Sequence, residues 1–389
     1  KASSFSKLSE DESEGRVKVF TLKYPAYKYG DILKIDGRIE ALPEEYKNTY
    51  LKDGIVARMR NPKIEPTGEN EGFWLKRWLF SIRDFVKSSF SKALSPERAS
   101  FMSGLILGDT SGFTKEFREK LSLTGTSHLV ALSGYNVAII IEAIGWMLSG
   151  RVSRRMFFVL TVFIILGFVV MTGAEASVVR AAIMASLLLL ANQIGRIHNF
   201  RNALALAALV MVLANPRILV WDIGFQLSFA ALLGITYLAP ALRKLARAKT
   251  EPGILDWRKN LFATLSAQLA VLPILLSSFG TLSVMGLITN MLLLSAIPLT
   301  MFFGFMVAFT AIASELLARV IGWLASILLA YELTVIDWFS KLGGVFTIGN
   351  FSSEGGSASG GNWVYGVVYW AALIAIIYYA DQKFQDKKV

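Results

Sequence analysis

Cysteine is absent from this chain of 389 residues, and histidine occurs only twice. Without thiols there are no disulfides, thiolate metal sites or cysteine nucleophiles, so any part on the oxidising side of a membrane folds without covalent staples. Two histidines are too few for a multi-histidine metal centre, and the sequence implies no cofactor. Charge is scarce as well. Charged residues make up 18% and hydrophobic residues 54%, with a mean hydropathy of +0.49. A soluble domain carries about 25% charged residues, so the composition argues against an ordinary soluble enzyme, and its apolar content excludes disorder. No phosphate-cradling P-loop is present. Thr126-Ser127-His128 has no acidic partner at a telling position, which leaves a nucleophilic triad unsupported. The expectation is a protein that is not an enzyme.

The charge that is present leans positive: 40 Lys and Arg against 29 Asp and Glu, a net of +11. Membrane proteins gather such an excess on cytoplasmic loops; a polyanionic partner is the alternative source. Three regions follow from the change in composition near residue 100. Residues 1–70 read as a small β domain. Leu33, Ile35, Gly37, Ile39 and Ala41 alternate with Lys34, Asp36, Arg38 and Glu40, the period of a half-buried strand over 32–42. Val17 to Leu22 and Ile55 to Met59 supply further strands, and a five-stranded barrel of this size would be OB-like. Residues 71–125 read as amphipathic interfacial helices. Leu75, Trp78, Leu79, Ile82, Phe85 and Val86 form one stripe of the first, with Lys76, Arg77, Arg83 and Lys87 mostly off it. Thr114 to Leu121 is a second, with Thr114 as N-cap.

Residues 126–389 read as a polytopic helical bundle. Apolar runs fall near 128–149, 156–172, 177–195, 202–214, 221–239, 259–279, 286–313, 320–338 and 363–380, about nine spans. A bilayer core about 30 Å thick needs roughly 20 helical residues. The run at 202–214 is short for that, and the run at 286–313 is long and contains Pro298, so these two are expected to be broken or re-entrant. Loop charge sets the orientation. Arg151, Arg154 and Arg155, then Arg196 and Arg201, then Arg243, Lys244, Arg247, Lys249, Arg258 and Lys259 follow odd-numbered spans, and the alternate loops are nearly free of positive charge. Odd spans therefore exit into the cytoplasm, and the β domain lies outside. An outer domain with no leading signal in this sequence implies a further span before residue 1. The Gly/Ser-rich run Ser352 to Asn362 reads as an outer loop.

Polar groups at membrane depth are costly and often functional. Here they are His128, Asn136, Glu142, Arg180, Gln226, Gln268 and Asn290. Snorkelling of Arg180 and interhelical hydrogen bonding by Gln226, Gln268 and Asn290 are the structural alternatives.

Several of these residues sit in recognisable motifs. Gly104-Leu-Ile-Leu-Gly108-Asp109, Phe117-Arg118, Thr124-Gly-Thr-Ser-His128-Leu-Val-Ala-Leu-Ser133-Gly134, Ser177-Val-Val-Arg180-Ala181, Asn215-Pro216, Asp222-Ile-Gly224-Phe225-Gln226-Leu-Ser228-Phe229, Pro273 with Phe279-Gly280, and Asn290 with Pro298 resemble, in order, the signature of the ComEC competence family. The resemblance runs from the β unit at 28–60 to about residue 310. It implies an inner-membrane channel that passes single-stranded DNA into the cytoplasm during natural transformation, with an OB-like outer domain. The implied partners are single-stranded DNA, the lipid bilayer and other competence proteins, including a cytoplasmic motor; an oligomer is compatible with it. The implied substrate path runs past His128, Ser133, Asn136, Arg180, Gln226, Gln268 and Asn290. Outside the membrane, Tyr27, Lys28, Arg38, Arg58 and Arg60 offer aromatic and basic contacts for DNA. Asn136 stands where family members often carry His. Many members also end in a metallo-β-lactamase-like nuclease domain, and no ligand cluster of that kind occurs here, so nuclease activity does not carry over. The rival readings are a transporter of another anionic substrate and a structural membrane protein with no transport role.

Overall fold

The computed structural model describes residues 2–7, 16–21, 27–43, 47–51, 53–132, 134–148, 150–195, 199–246, 257–279, 281–283, 285–342, 345–347 and 362–385. Ser133, Lys23, Tyr24, most of the basic loop after 246 and the Gly/Ser-rich run at 352–361 lie outside the described residues.

The N-terminal region holds β1 (Ala2–Lys7), β2 (Arg16–Thr21), β3 (Asp31–Asp36), β4 (Ile39–Glu40), α1 (Lys47–Leu51), β5 (Ile55–Arg60) and β6 (Lys63–Asn70). β2 and β5 each turn alternate residues inward, as period-two strands must. Val17 and Val19 stand opposite Ala57 and Met59 in a parallel pair, and these four form the core. The first sheet runs β1-β2-β5-β4, and β3 pairs with β6 in a second. Ile35 and Ile64, opposite each other in that second sheet, pack on the core. The strand expected over 32–42 is two strands in two sheets. It breaks at Gly37-Arg38, where a Cβ on Gly37 would lie 2.7 Å from the Pro62 ring. Beyond the break the alternation fails, and Ile39 is 51% exposed.

The remainder is mostly helical. In order come α2 (Trp74–Ala93), α3 (Pro96–Leu107), α4 (Lys115–Leu123), α5 (Ser127–Val130), α6 (Gly134–Leu148), α7 (Arg154–Met171), α8 (Ala176–Gln193), α9 (Phe200–Ala214), α10 (Ile218–Trp221) and α11 (Ile223–Leu233). A π-helical turn (Gly234–Leu238) leads from α11 into α12 (Ala239–Leu245). Then follow α13 (Trp257–Phe279), β7 (Thr281–Ser283), α14 (Met285–Leu293), α15 (Ile297–Ala313), α16 (Glu315–Lys341), β8 (Val345–Thr347) and α17 (Asn362–Gln385). Side-chain oxygens start several helices by accepting orphan N–H groups: Thr114 from Phe117, Ser153 from Met156, and Asn199 from Arg201 and Asn202. Gly108, with φ of 68°, ends α3 in the left-handed conformation that glycine tolerates best.

Among the described residues, five helical segments are long and apolar enough to cross a membrane: α7, α8, α11 through α12, a stretch of α13, and α16. α14 and α15 count as a sixth if taken together; they bend by 49° at a short break. The expected break at 286–313 is therefore present. Asn136–Gly145, Phe200–Ala214 and Val368–Tyr379 are apolar but shorter. α6 is short because the chain before Gly134 forms turns and α5, and α9 stops at Asn215-Pro216.

The chain groups into two compact units. One comprises Lys1–Phe113, Leu129–Asp222 and Leu299–Leu329; the other comprises Thr114–His128, Ile223–Pro298 and Ala330–Val389. In the first, Leu132, Val137, Ile140, Ile165, Phe168 and Val178 knit α6, α7 and α8 into a core against which Phe305 packs. α3 is the most buried helix of this unit, with Phe101, Met102, Leu105, Ile106 and Leu107 all at 3% exposure or less. In the second unit α11 packs along α13, and a Cβ on Gly234 would lie 2.6 Å from the Ser266 carbonyl oxygen.

Candidate functional site

In the first unit, polar groups converge where α6 begins. Asn136, buried at 4% exposure, donates from Nδ2 to the Leu105 carbonyl at 2.8 Å. That carbonyl belongs to the last turn of α3, where helix geometry leaves acceptors without intrahelical donors. Asn136 thus joins the end of α3 to the start of α6. Arg180, one turn into α8 and 6% exposed, brings Nη2 to 3.8 Å from the Cβ position of Gly134, and the same atom donates to Ser177 Oγ at 3.5 Å. A guanidinium and the partly positive N-terminus of α6 therefore share one buried spot, an arrangement that favours an anion. Arg180 is thus covered by protein on most of its surface.

In the second unit, Gln268 of α13 reaches α14: its Nε2 is 3.6 Å from the Cβ position of Gly286. Asn290, one turn further along α14, is 3% exposed, and its Oδ1 is buried without a hydrogen-bond partner among the described residues. Gly125 touches Gly286 so closely that a side chain there would lie 3.1 Å from its Cα. Beside them Thr124 and Thr126 are fully buried, their hydroxyls 2.7 Å apart. His128 is exposed and its Nδ1 lies 3.1 Å from the Gly125 carbonyl oxygen. Gln226 is half-buried on α11. Gln226, Gln268 and Asn290 belong to one unit and Arg180 and Asn136 to the other. Glu142 is exposed on α6.

Sequence reasoning missed Glu332, fully buried on α16, and the fully buried hydroxyls of Ser266, Thr289 and Thr300. Glu332 was legible as an acid inside an apolar run. Sequence reasoning names Asp109 as the last residue of a motif and gives it no role; the residue is 8% exposed at the end of α3, accepts from Lys87 Nζ and from the Ser111 N–H, and has Arg83 Nη2 at 3.8 Å.

On the β region Tyr27 is half-buried and Lys28 and Arg38 are exposed. Arg58 Nε donates to Glu40 Oε2 at 3.0 Å, and Arg60 Nε is 3.5 Å from the same oxygen. Two of the five expected DNA-contacting residues are thus already paired with one carboxylate. Two aromatic faces are occupied as well: Lys76 lies 4.4 Å from the Tyr29 ring centre and Lys18 lies 4.7 Å from that of Tyr50.

Long apolar helices, a bent helix pair and buried polar groups between helices define a multi-pass membrane protein. The chain belongs to the ComEC competence family. The family model described as Competence protein matches residues 105–380. The chain is similar to ComE operon protein 3 of Bacillus subtilis (strain 168), 28% identical over 299 residues, which covers 77% of this chain and 36% of that protein. It spans little more than a third of that relative's length. No solved structure matches it.

Proposed function

We propose that this chain forms part of an inner-membrane path that passes single-stranded DNA into the cytoplasm during natural transformation. Family membership supports a role in DNA uptake. The observation that carries the finer reading is the Arg180 guanidinium buried beside the N-terminus of α6. A phosphodiester is the anion such a spot suits, because the backbone N–H groups and the guanidinium are already oriented and lose little on binding. Asn136 holds α6 in place. Gln268 and Asn290 supply polar, uncharged wall elsewhere. The role assigned is passage, not catalysis. The energy comes from a cytoplasmic motor or the membrane gradient, and other competence proteins, or further copies of the chain, complete the path.

In this reading nine helical segments cross, and the OB-like β region lies outside. Local contacts agree with the parity of crossings. Arg217 Nη1, in the turn after α9, donates to the Leu51 carbonyl at 2.9 Å, joining two segments assigned to the outer face. β7 pairs antiparallel with β8, and Ser283 Oγ donates to the Leu123 carbonyl at 2.6 Å, joining three more. Exposed Lys28 and Arg38, with the half-buried Tyr27, make the β region a weak, sequence-tolerant first contact for DNA. The bent α14–α15 pair is the feature that favours a carrier for another anion.

The test is transformation frequency alongside membrane insertion. Arg180→Ala is expected to abolish uptake while the protein inserts at normal levels, and Arg180→Lys to recover only part of it, since an ammonium lacks the planar fork. Full uptake in both Arg180→Ala and Gln226→Leu would leave these residues as helix-packing groups and remove the path.

A further inference from the structure

The hairpin of α2 and α3 can be followed in depth, contact by contact, within the first unit. Near its start, α2 rests on α7: Leu79 Cδ2 is 3.4 Å from the Cβ position of Gly167. Gly167 is four residues from Met171, where α7 ends, which is about 6 Å along the axis. At its far end α2 meets the junction of α15 and α16. Lys92 Nζ is 4.0 Å from Glu315 Oε2, and the Ala93 carbonyl oxygen is 2.8 Å from the Cβ position of Gly322. Leu79 and Lys92 are thirteen residues apart on one helix, about 20 Å. Between the end of α7 and that junction the sequence places five crossings (α8, α9, α11 through α12, α13, and the bent pair), so the two points fall on opposite faces. The two lengths together make about 26 Å of a hydrocarbon core about 30 Å thick.

The return path gives the same depth. Met102 and Ile106 of α3 press on Gly304 of α15. Gly304 is nine residues before Ala313, about 14 Å from the junction, and Ile106 is ten residues after Pro96, about 15 Å from the hairpin turn.

We propose that α2 and α3 form a re-entrant hairpin, entering the bilayer from the face of the α7–α8 turn with its Leu94-Ser95 turn near the opposite face, and that the outward stripe of α2 borders water inside the membrane. The two faces of α2 require this. Leu75, Leu79, Ile82 and Val86 turn inward, and Phe90 is fully buried. Ser81, Asp84, Ser88, Ser91 and Lys92 turn outward and are exposed, with Phe85 the apolar side chain exposed among them. Hydrocarbon does not solvate such a stripe, and polar surface at that depth survives where it lines a wet cavity. A cleft of about 90 Å³ beside it is lined by Ser88, Ser89, Lys92 and Glu315 among others, room for several waters. Trp74 and Trp78, 68% and 54% exposed, mark the entry end at headgroup depth.

This assignment rests on the orientation proposed above, and sidedness separates the two. The chain has no cysteine, so single-cysteine variants of the full chain report one position each. S81C, S91C and S103C would be treated with a membrane-impermeant maleimide in intact cells and in inverted vesicles, after insertion is verified by immunoblot. S81C is expected to label in intact cells and S91C in inverted vesicles, with or without labelling of S91C in intact cells. S103C, 3% exposed, is expected to stay unlabelled. Labelling of both S81C and S91C only in intact cells would mean that α2 lies flat on the outer surface and would overturn the hairpin. Silence of S91C in both preparations would overturn the wet stripe. A full reversal of sides would refute the orientation and leave the hairpin standing.

Discussion

Asp109 is nearly buried, accepts hydrogen bonds from Lys87 Nζ and the Ser111 N–H, and has the Arg83 guanidinium as a second cationic neighbour at 3.8 Å. Removing one partner of a buried pair is expensive because the other charge loses its counterpart. Lys87 and Arg83 keep 42% and 33% side-chain exposure and regain water, so Asp109→Ala is expected to cost only the lost charge-assisted hydrogen bonds, about 1.5–3 kcal/mol. Thermal unfolding in detergent checks it, and the double variant with Lys87→Met should recover part of the loss. Lys120 works at lower stakes. It lies 2.9 Å from both Glu116 and Asp337, and hydrogen bonds to Glu116 and then Asp337 hold its ammonium above the ordinary lysine value. Lys120→Met is expected to cost about 0.5–1 kcal/mol. A raised folded value stabilises below the unfolded one and loses that contribution as pH climbs past it. The gap between wild type and variant should therefore shrink above about pH 10.5, and a gap that stayed constant through that range would disprove the assignment. At this scale the sequence was legible where chemistry is local. The Thr114 cap was visible as Thr before a helical pattern, and Asn136 as an amide in an apolar run. The acceptor of Asn136, thirty-one residues away on α3, was not, because no local pattern encodes a tertiary partner.

At the scale of elements, α11 and α13 pack backbone to backbone at Gly234. A methyl there meets a carbonyl oxygen rather than a flexible side-chain end, so the helices must part. Gly234→Ala is expected to destabilise by about 1–3 kcal/mol. Among the described residues, nothing lies within 4 Å of the Cβ position of Gly145 on α6, so Gly145→Ala should be neutral or gain up to about 1 kcal/mol from helix propensity. Comparing the two melting temperatures in one detergent checks both, and equal responses would show that the close approach at Gly234 carries no energy. The helices themselves were plain from hydropathy, since lipid imposes a length and a composition. α3 was not. Phe101 to Leu107 is apolar all round except for Ser103 and Gly104, which gives it no amphipathic period, and at twelve residues it is too short to signal a span. Its neighbour α2 shows a stripe, but periodicity does not say whether that stripe meets lipid or protein. Leu79 meets Gly167, whereas Trp78 and Phe85 remain exposed. The β alternation misled at Gly37-Arg38 because a bend between two sheets preserves the pattern for several residues after the pairing has changed.

For the whole molecule, the loop charges predict sidedness. A cysteine at Ala174, in the turn between α7 and α8, should react with an impermeant thiol reagent in intact cells, and one at Arg151 only in inverted vesicles. The reverse pattern would invert the orientation. The pairing of β7 with β8 constrains how the second unit is assembled. Ser283 and Val345 are neighbours in the sheet, yet all of α14, α15 and α16 lies between them in sequence. A ribosome adding about 5–20 residues per second needs about 3–12 s to make that stretch. Throughout that interval β7 has no β8 to pair with, and its backbone groups form a bare edge of the kind that recruits wrong partners. The end of the unit that carries Ser283 and Leu123 therefore cannot close until β8 has been made, and over that interval it is where an insertion machinery or a chaperone has most to protect.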